Sequence, residues 1–352
     1  TIRLHTQDPF CLRRSVFMRS TRRAALRFGA AALASPVMAI PALVQAAAPP
    51  PAPGGDTLAL LKSAMARGRF VTYQPSTLRY FNGHPTPASR DSIVADLKLL
   101  RQWFDSLITY GALNGAEHVA DVAAGLGYRA VIVGVWDFYN AQELANALAA
   151  AKRHPRLVAG LSLGNELILG KRGSWGDLGH ALAMVKTRAP GLPLSITEPF
   201  AQYLDDPDAK TVFSKMDFML TNIHPIFEPW FRKAGPANWA DFVVRVTGML
   251  AAVYPGPILV KETGVPTGPA TSGFTPEMQH DFYRALEKQF PSSASRAFSY
   301  FAAFDAPWRL SDFVPGGGVH LEEAHWGLFT EKRVAKKVMA DFPPLSRAHG
   351  AR

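Results

Sequence analysis

Two glutamates are associated with short apolar runs of the sequence. Glu166 comes directly after the run 157–165 (LVAGLSLGN), and Glu262 lies within the run 257–263 (PILVKET). Cleavage of a glycosidic bond needs one carboxyl group that donates a proton and one ionised carboxylate opposite it, because the transition state resembles an oxocarbenium ion. The pair therefore predicts a retaining reaction with Glu166 as acid/base and Glu262 as nucleophile.

Such a pair requires a scaffold that brings distant segments to one face. Short apolar, β-rich runs alternate with longer segments of helical periodicity, which is the pattern of parallel βα units. The runs are apolar throughout, as expected for strands that are buried on both faces. They predict a single-domain α/β fold, a (β/α)8 TIM barrel, with strands at 69–74, 105–110, 129–136, 157–165, 193–198, 216–224, 257–263 and 297–305.

The segments between these runs show the spacing of amphipathic helices. One apolar stripe in segment 89–104 consists of Ile93, Leu97, Leu100 and Trp103. Ser89 and Ser92 are candidate caps of this helix. The signal in segment 200–213 is weaker. Further helices are predicted at 116–126, 141–153, 174–188, 237–254 and 275–290.

The C-terminal ends of the strands carry the active site in barrels of this type, and every predicted strand ends on a polar or aromatic group. The fourth and seventh strands face each other across the barrel mouth, which suits the carboxyl separation of about 5 Å that retention requires. Each residue alone is also consistent with an ordinary strand-to-loop transition, but their coincidence favours a site. The predicted substrate-binding residues are Tyr73, Tyr110, Trp136, Asn165, Glu198, Asn222, His224, Phe227, Asp305 and Trp308.

Some of these side chains have a definite expected role. The amide of Asn165 is placed to bind a sugar 2-hydroxyl, a hydrogen bond that strengthens in the transition state. Tyr110 and His224 are expected to donate to Glu262 and keep it ionised, although a satisfied core histidine is a serious alternative for His224. Aromatic rings stack on the C–H faces of sugars, and the candidate platforms are Trp136, Phe227, Trp230, Trp308 and Trp326.

Composition and motifs exclude several other classes of function. The net charge is +10, but residues 1–48 hold seven arginines against Asp8, a net +6 that leaves +4 for the remainder. Because no basic stripe with interleaved aromatics occurs, no nucleic-acid partner is predicted. The histidines show no HExxH or similar ligand spacing and no GxSxG motif is present, so neither a metal, a cofactor nor a serine nucleophile is predicted.

Residues 1–46 are predicted to be an export leader of twin-arginine-like type. Arg22 and Arg23 precede an Ala-rich apolar run at 28–48, and Val44-Gln45-Ala46 is the expected cleavage site. Met18 is a plausible true start. The alternative is an uncleaved membrane anchor, which the prolines within the run disfavour, so no stable membrane insertion is expected after cleavage.

The remaining boundaries follow from composition. A Pro/Gly-rich linker is predicted at 47–56, the folded domain at 57–345 and a disordered tail at 346–352. Cys11, the only cysteine, lies in the leader. We therefore expect an exported protein, periplasmic or extracellular, without disulfide or thiol chemistry.

Several motifs in this order and spacing resemble glycoside hydrolase family 17, the β-1,3-glucanase family, and in particular its bacterial members. The resemblance covers nearly all of residues 69–332 and implies a retaining (β/α)8 barrel with Glu166 as acid/base and Glu262 as nucleophile. It thus agrees with the assignment from strand ends. The matching motifs are VTYQPS, DLKLLRQWFDSLITYG, LGNE, ITEP, NIHPIFE, KETGVPTG, YFAAFDAPW and HWGLF.

The chain departs from that family in its eighth strand and in one neighbouring position. Where the family commonly has FEAFDEPWK, this sequence has Ala302, Ala306 and Arg309, so two acidic side chains are missing. His224 stands where plant members have Tyr. These departures leave the catalytic pair intact and bear on the choice of substrate and acceptor.

Three functions follow as hypotheses. The first is hydrolysis of β-1,3-linked glucan, in exo or endo mode. The second is transfer of the same glycosyl intermediate to another glucan, which elongates or branches it. The third, motivated by Ala302 and Ala306, is a catalytically weak glucan-binding protein.

Overall fold

The computed structural model describes residues 57–311 and 320–345. Within them, eight parallel strands close into a barrel in which each strand pairs with its neighbours in sequence and the first pairs with the last. The predicted TIM barrel is confirmed. Its strands are β1 (Phe70–Tyr73), β2 (Ser106–Thr109), β3 (Ala130–Val135), β4 (Val158–Asn165), β5 (Leu194–Pro199), β6 (Met219–Asn222), β7 (Ile258–Glu262) and β8 (Arg296–Tyr300). The predicted leader, linker and tail lie outside the described residues.

Each predicted apolar run overlaps one of these strands, but the last prediction extended too far. The run 297–305 was expected to be strand throughout, whereas β8 ends at Tyr300. The backbone beyond it turns to accept the later segment 326–329, with Leu328 N donating to Ala302 O at 2.8 Å and Phe329 N donating to Ala303 O at 3.0 Å. These residues are apolar because that segment covers them. An apolar run in the sequence does not by itself distinguish a buried strand from a loop that another segment covers.

Helices follow the strands on the outside of the barrel. Ser89 caps the helix Arg90–Leu100 as predicted, since its hydroxyl accepts from Ser92 N, whereas Ser92, the other candidate, lies within that helix. Asn140 and Ser174 cap the helices Ala141–Arg153 and Trp175–Arg188 in the same way. The weakly periodic segment 200–213 forms two short helices. The bounds are α1 (Thr57–Arg67), α2 (Arg90–Leu100), α3 (Val119–Gly125), α4 (Ala141–Arg153), α5 (Trp175–Arg188), α6 (Phe200–Asp205), α7 (Lys210–Phe213), α8 (Pro236–Val253) and α9 (Pro276–Gln289).

Helix α1 closes the amino-terminal end of the barrel. Its buried residues Leu61, Ala64 and Met65 join one apolar cluster with residues near the starts of the strands, among them Phe70 and Ala130. Burial of this cluster stabilises the closed barrel at that end. The carboxyl ends of the strands are left to form the site. In the described ranges no helix is both long and apolar enough to span a bilayer.

A small antiparallel hairpin between β1 and α2 was not predicted. Its strands, Arg79–Phe81 and His84–Thr86, are joined through Asn82 and Gly83, which both have positive φ, +49° and +78°. An Asn-Gly pair with two positive φ angles is the preferred two-residue hairpin turn. The Asn-Gly dipeptide was therefore the signal in the sequence that indicated it.

The segment that follows the short 3-10 helix Leu321–Ala324 binds the loops at the carboxyl end of the barrel. Lys336 Nζ donates to Asp305 Oδ1 at 2.7 Å and to Thr267 Oγ1 at 2.7 Å. Arg333 Nε donates to the buried Asp96 at 2.7 Å. We call Arg333 and Lys336 the C-terminal clasp, because they join the loops after β7 and β8 to helix α2.

Candidate active site

Glu166 stands directly after β4 in a constrained backbone conformation. Its φ is +52° and that of Gly164 is +78°; a non-glycine residue in this region costs about 1–3 kcal/mol and persists only where its surroundings enforce it. Glu166 N donates to Thr197 O at 2.9 Å. Between Ser162 and Asn165, β4 has one residue more than β5 opposite it, and such irregularities re-aim side chains next to sites.

The carboxyl group of Glu166 has one neutral donor close to it. Asn222 Nδ2 at the end of β6 donates to Glu166 Oε1 at 2.8 Å. Burial and the negative charge of Glu262 raise the pKa of Glu166 above its usual value, against the opposing effect of that hydrogen bond. This environment favours a carboxylic acid that keeps its proton.

Glu262 ends β7 and is only 6% exposed. His224 Nε2 lies 3.6 Å from Oε2, and Lys261 Nζ lies 3.7 Å from Oε1. Burial alone works to raise the pKa of Glu262, but His224, Lys261 and Arg309 together hold it below its usual value. The two carboxyl groups are therefore perturbed in opposite directions, which separates a proton donor from an ionised carboxylate.

Two cations of this site were not among the predicted residues. Lys261 is buried beside Glu262, and Arg309, in the turn after β8, pairs with Glu323 at 3.0 Å and acts electrostatically on Glu262. For Lys261 the signal was a lysine inside an apolar strand, which is rarely buried without a partner. For Arg309 the signal was a cation where the family pattern has Lys.

Several buried polar atoms around the pair make no hydrogen bond in the described part of the chain. Buried polar groups in native proteins are almost always hydrogen-bonded, so these atoms are suited to the hydroxyl groups of a ligand. They include Tyr110 Oη, Asn222 Oδ1, His224 Nδ1, Glu262 Oε1 and Trp326 Nε1. Among residues 57–311 and 320–345, no group of three His, Cys, Asp or Glu is placed to hold a metal ion.

Comparison with known families identifies the class of enzyme. The model of the BtgE/BtgC glycoside hydrolase domain matches residues 71–327. The chain belongs to this glycoside hydrolase family. It is also similar in fold to solved members of glycoside hydrolase family 17, which supports a family 17-like assignment.

Two solved structures illustrate the similarity. A family 17 β-1,3-glucanosyltransferase from Rhizomucor miehei is 20% identical, with a TM-score of 0.56 over 78% of this chain and 97% of that one. An endo-laminarinase from Formosa Hel1_33_131 is 16% identical, with a TM-score of 0.61 over 78% of this chain and 86% of that one. At these identities the likeness concerns the fold. No curated protein matched the chain.

Five of the predicted binding residues lie around Glu166 and Glu262 in this glycoside hydrolase. Asn165 Oδ1 accepts from Lys261 Nζ, and the Tyr110 ring lies 4.3 Å from the same Nζ. Asn222 contacts Glu166, and His224 lies beside Glu262. Phe227 packs edge-on against the His224 ring at 5.8 Å and is 55% exposed.

Tyr73, by contrast, does not reach the site. Its side chain is 0% exposed, and its hydroxyl donates to Asp96 Oδ2 at 2.8 Å. The prediction that Tyr73 binds substrate is therefore corrected. Because side chains alternate along a strand, a residue at a strand end faces either the barrel mouth or the surrounding helices, and Tyr73 joins Asp96 of helix α2.

Glu198 and Asp305 were also predicted to contact substrate, and the carboxyl groups of both are hydrogen-bonded within the protein. Glu198, 1% exposed, accepts from Ile168 N at 2.9 Å and Leu169 N at 3.3 Å. Asp305 accepts from Lys336 and from Gly327 N at 2.8 Å. These residues hold the loops of the site in place rather than its ligand.

The aromatic candidates divide by exposure. Trp136 is 45% exposed with the Arg172 guanidinium 5.1 Å from its ring, and its backbone N–H donates to buried Glu143 at 2.9 Å. Trp308 packs at 5.3 Å against Tyr80 of the hairpin. Trp326 is buried beside His224, and Trp230 packs against Phe242 of α8. Open rings suited to stacking are thus Trp136 and Phe227, with Trp308 partly covered.

Proposed function

We propose that the enzyme cleaves β-1,3-linked glucan with retention of configuration, through a covalent glycosyl-enzyme intermediate. The observation that carries the mechanism is the opposite perturbation of Glu166 and Glu262, whose pKa values are raised and lowered respectively. A retaining glycosidase needs one protonated and one ionised carboxyl group at the same bond. Hydrolysis in exo or endo mode is the leading proposal.

In the first step, Glu262 attacks the anomeric carbon and the bond to the leaving oxygen breaks. Glu166 gives its proton to that oxygen. Because Asn222 donates to Oε1 of Glu166, that oxygen accepts and the acid proton is carried on Oε2. In the second step water attacks the intermediate, returns its proton to Glu166 and releases Glu262.

Three features support β-1,3-glucan as the substrate class. The chain belongs to a glycoside hydrolase family, and the similar structures include an endo-laminarinase and a β-1,3-glucanosyltransferase solved in complex with laminaritriose. Exposed rings at Trp136 and Phe227 offer stacking surfaces. Tyr110, Asn165, Asn222 and His224 line the position of the reacting sugar in this proposal.

The test is a panel of β-1,3-, β-1,6- and mixed-linkage glucans with products followed over time. We expect cleavage of β-1,3 linkages, and proton NMR of the first product should show the β-anomer. Turnover without β-1,3 cleavage would contradict the substrate class, and an α-anomer would contradict retention. Glu262→Ala with full activity would contradict the assigned nucleophile.

Transfer to a second glucan is the alternative activity, favoured by the similarity to the Rhizomucor miehei glucanosyltransferase. It uses the same intermediate, with a sugar hydroxyl in place of water. At high substrate concentration, longer or β-1,6-branched products would indicate transfer, whereas glucose and short oligomers alone would indicate hydrolysis. A 2-fluoro-glycosyl adduct trapped on Glu262 would eliminate the third hypothesis, a weakly catalytic binding protein.

We also propose that the enzyme acts outside the cytoplasm. The support is the twin-arginine-like pattern at Arg22 and Arg23, followed by an apolar run and the linker at 47–56. Expression of the chain with its leader, followed by cell fractionation and N-terminal sequencing, tests this. A mature N-terminus after Ala46 in the exported fraction is expected; an intact leader in the cytoplasmic fraction would contradict it.

A further inference from the structure

Lys261 is a buried cation that the mechanism above does not use. Its side chain is 1% exposed, and its Nζ lies near three groups: Asn165 Oδ1 at the end of β4 (2.6 Å), Glu262 Oε1 beside it on β7 (3.7 Å) and the ring of Tyr110 just after β2 (4.3 Å). Burial of an ammonium group is costly unless it is paired. A lysine in this place is therefore expected to perform a function.

The register of the barrel explains how two consecutive residues reach one site. Val260 pairs with Thr221, and Glu262 pairs with Asn222, so β7 has one residue, Lys261, more than β6. Side chains on a regular strand alternate between faces, but an inserted residue re-aims its neighbours. Both Lys261 and Glu262 are consequently available to the barrel mouth.

The contact with Lys261 decides which way the Asn165 amide is turned. An ammonium group donates hydrogen bonds and has no acceptor, so it pairs with Oδ1 and turns the two N–H groups of the amide away from itself. Arg172 holds the same residue from the other side, because its guanidinium donates to Asn165 O at 2.9 Å. Backbone and side chain of Asn165 are thus both fixed.

We infer that Lys261 is a positioning residue that fixes the Asn165 amide with its N–H groups toward the substrate 2-hydroxyl, and that its charge keeps Glu262 ionised. This inference rests on the proposed function, in which Asn165 binds that hydroxyl and Glu262 is the nucleophile. If the Asn165 amide were turned round, it would present its oxygen instead of an N–H group to the substrate 2-hydroxyl. The hydrogen bond that this N–H group donates, which strengthens in the transition state, would then be lost.

The charged and titratable groups around Glu262 come from five elements. His224 follows β6, Arg309 follows β8, Tyr110 follows β2, Glu166 follows β4, and Lys261 precedes Glu262 on β7. Lys261 is the cation nearest to Oε1, an oxygen without a hydrogen bond in the described ranges. Removal of its charge therefore shifts the ionisation of Glu262 to higher pH.

Lys261→Met tests both parts, because methionine keeps an unbranched side chain without charge or donor. The substrates are an aryl β-laminaribioside and its analogue that lacks the 2-hydroxyl on the aryl-linked sugar. Lys288→Met is the control, since it removes the charge of an exposed lysine on α9, outside the site. Asn165→Ala is the positive reference for loss of the 2-hydroxyl contact.

In Lys261→Met, we expect the ratio of kcat/KM between the two substrates to fall by about 10- to 100-fold, the cost of an unmade buried hydrogen bond. The acid limb of the pH profile should also move to higher pH. Lys288→Met should keep the wild-type ratio and acid limb. If Lys261→Met retains the wild-type ratio while Asn165→Ala loses it, the positioning role is wrong.

Two further measurements keep the test decisive. If Lys261→Met does not fold, Lys261→Gln, which retains an N–H donor without charge, is measured instead; an unchanged acid limb in it overturns the charge effect. Carbon-13 NMR titration of Glu262 needs no substrate. Should wild type cleave no glucan while that titration still moves to higher pH in the variant, the proposed function fails and the electrostatic role of Lys261 stands.

Discussion

The ends of β4 and β7 each carry one glutamate of the pair, and they differ in the charges around it. The neutral side-chain amide of Asn222 lies 2.8 Å from Glu166 Oε1. By contrast, His224 and Lys261 lie within 3.7 Å of the carboxyl oxygens of Glu262. Both groups are buried, so burial alone would raise both pKa values. The difference teaches that the groups facing each carboxyl, not its depth, set the two pKa values apart.

Replacement of Glu262 should have the largest effect on activity. Glu262→Ala should lower kcat/KM by about 10⁵-fold or more, as expected for loss of a covalent nucleophile, and azide should restore turnover with an α-glycosyl azide product. Glu277→Ala, an exposed glutamate on α9, is the control. A β-azide from Glu262→Ala would reverse the two assignments.

Glu166 should show a different dependence on the leaving group. In Glu166→Ala, natural glucans should lose about 10³-fold in kcat/KM, within the range for general acid catalysis. Dinitrophenyl glycosides need no proton and should keep most of their first-step rate, and azide should give the β-azide. An equal loss for good and poor leaving groups would indicate a structural role for Glu166.

Replacement of His224 should have a smaller effect, mainly on the pH dependence of activity. His224→Phe keeps a ring but removes the contact with Glu262, so the pKa of Glu262 should rise and the acid limb of kcat/KM should move to higher pH. The loss at neutral pH should be about tenfold or less, as for one weak polar contact. His180→Phe, on the exposed face of α5, serves as the control. An unmoved acid limb would favour a purely structural histidine.

Glu198 gives the smallest effect, on stability rather than on rate. Burial raises its pKa to about 8 in the folded protein, above the value of about 4.3 for an unfolded chain. The folded state therefore holds this proton more tightly, and its contribution to stability is lost as pH rises from about 4 through 8. Thermal unfolding should show wild type losing Tm relative to Glu198→Gln between pH 5 and pH 8. Parallel curves would contradict this.

The strand ends were sufficient to predict the barrel and the positions of Glu166 and Glu262, because parallel strands bring their carboxyl ends to one face. They were insufficient for Tyr73 and Asp305. Whether a terminal side chain faces the mouth depends on register, and its partner lies far away in sequence: Asp305 pairs with Lys336, 31 residues later. Lys261 reaches the site because the register between β7 and β6 shifts by one residue. This shift depends on the pairing of two strands, so the periodicity of β7 alone could not predict it.

The C-terminal clasp has a consequence for the order in which the enzyme is assembled. Arg333 and Lys336 follow all eight strands in the chain, yet they hold Asp96 beside β1 and the loops after β7 and β8. A ribosome releases these residues only after the whole barrel sheet has been synthesised. The loops that carry Arg309 and support Glu262 therefore acquire their final fastening only after all eight strands have been synthesised.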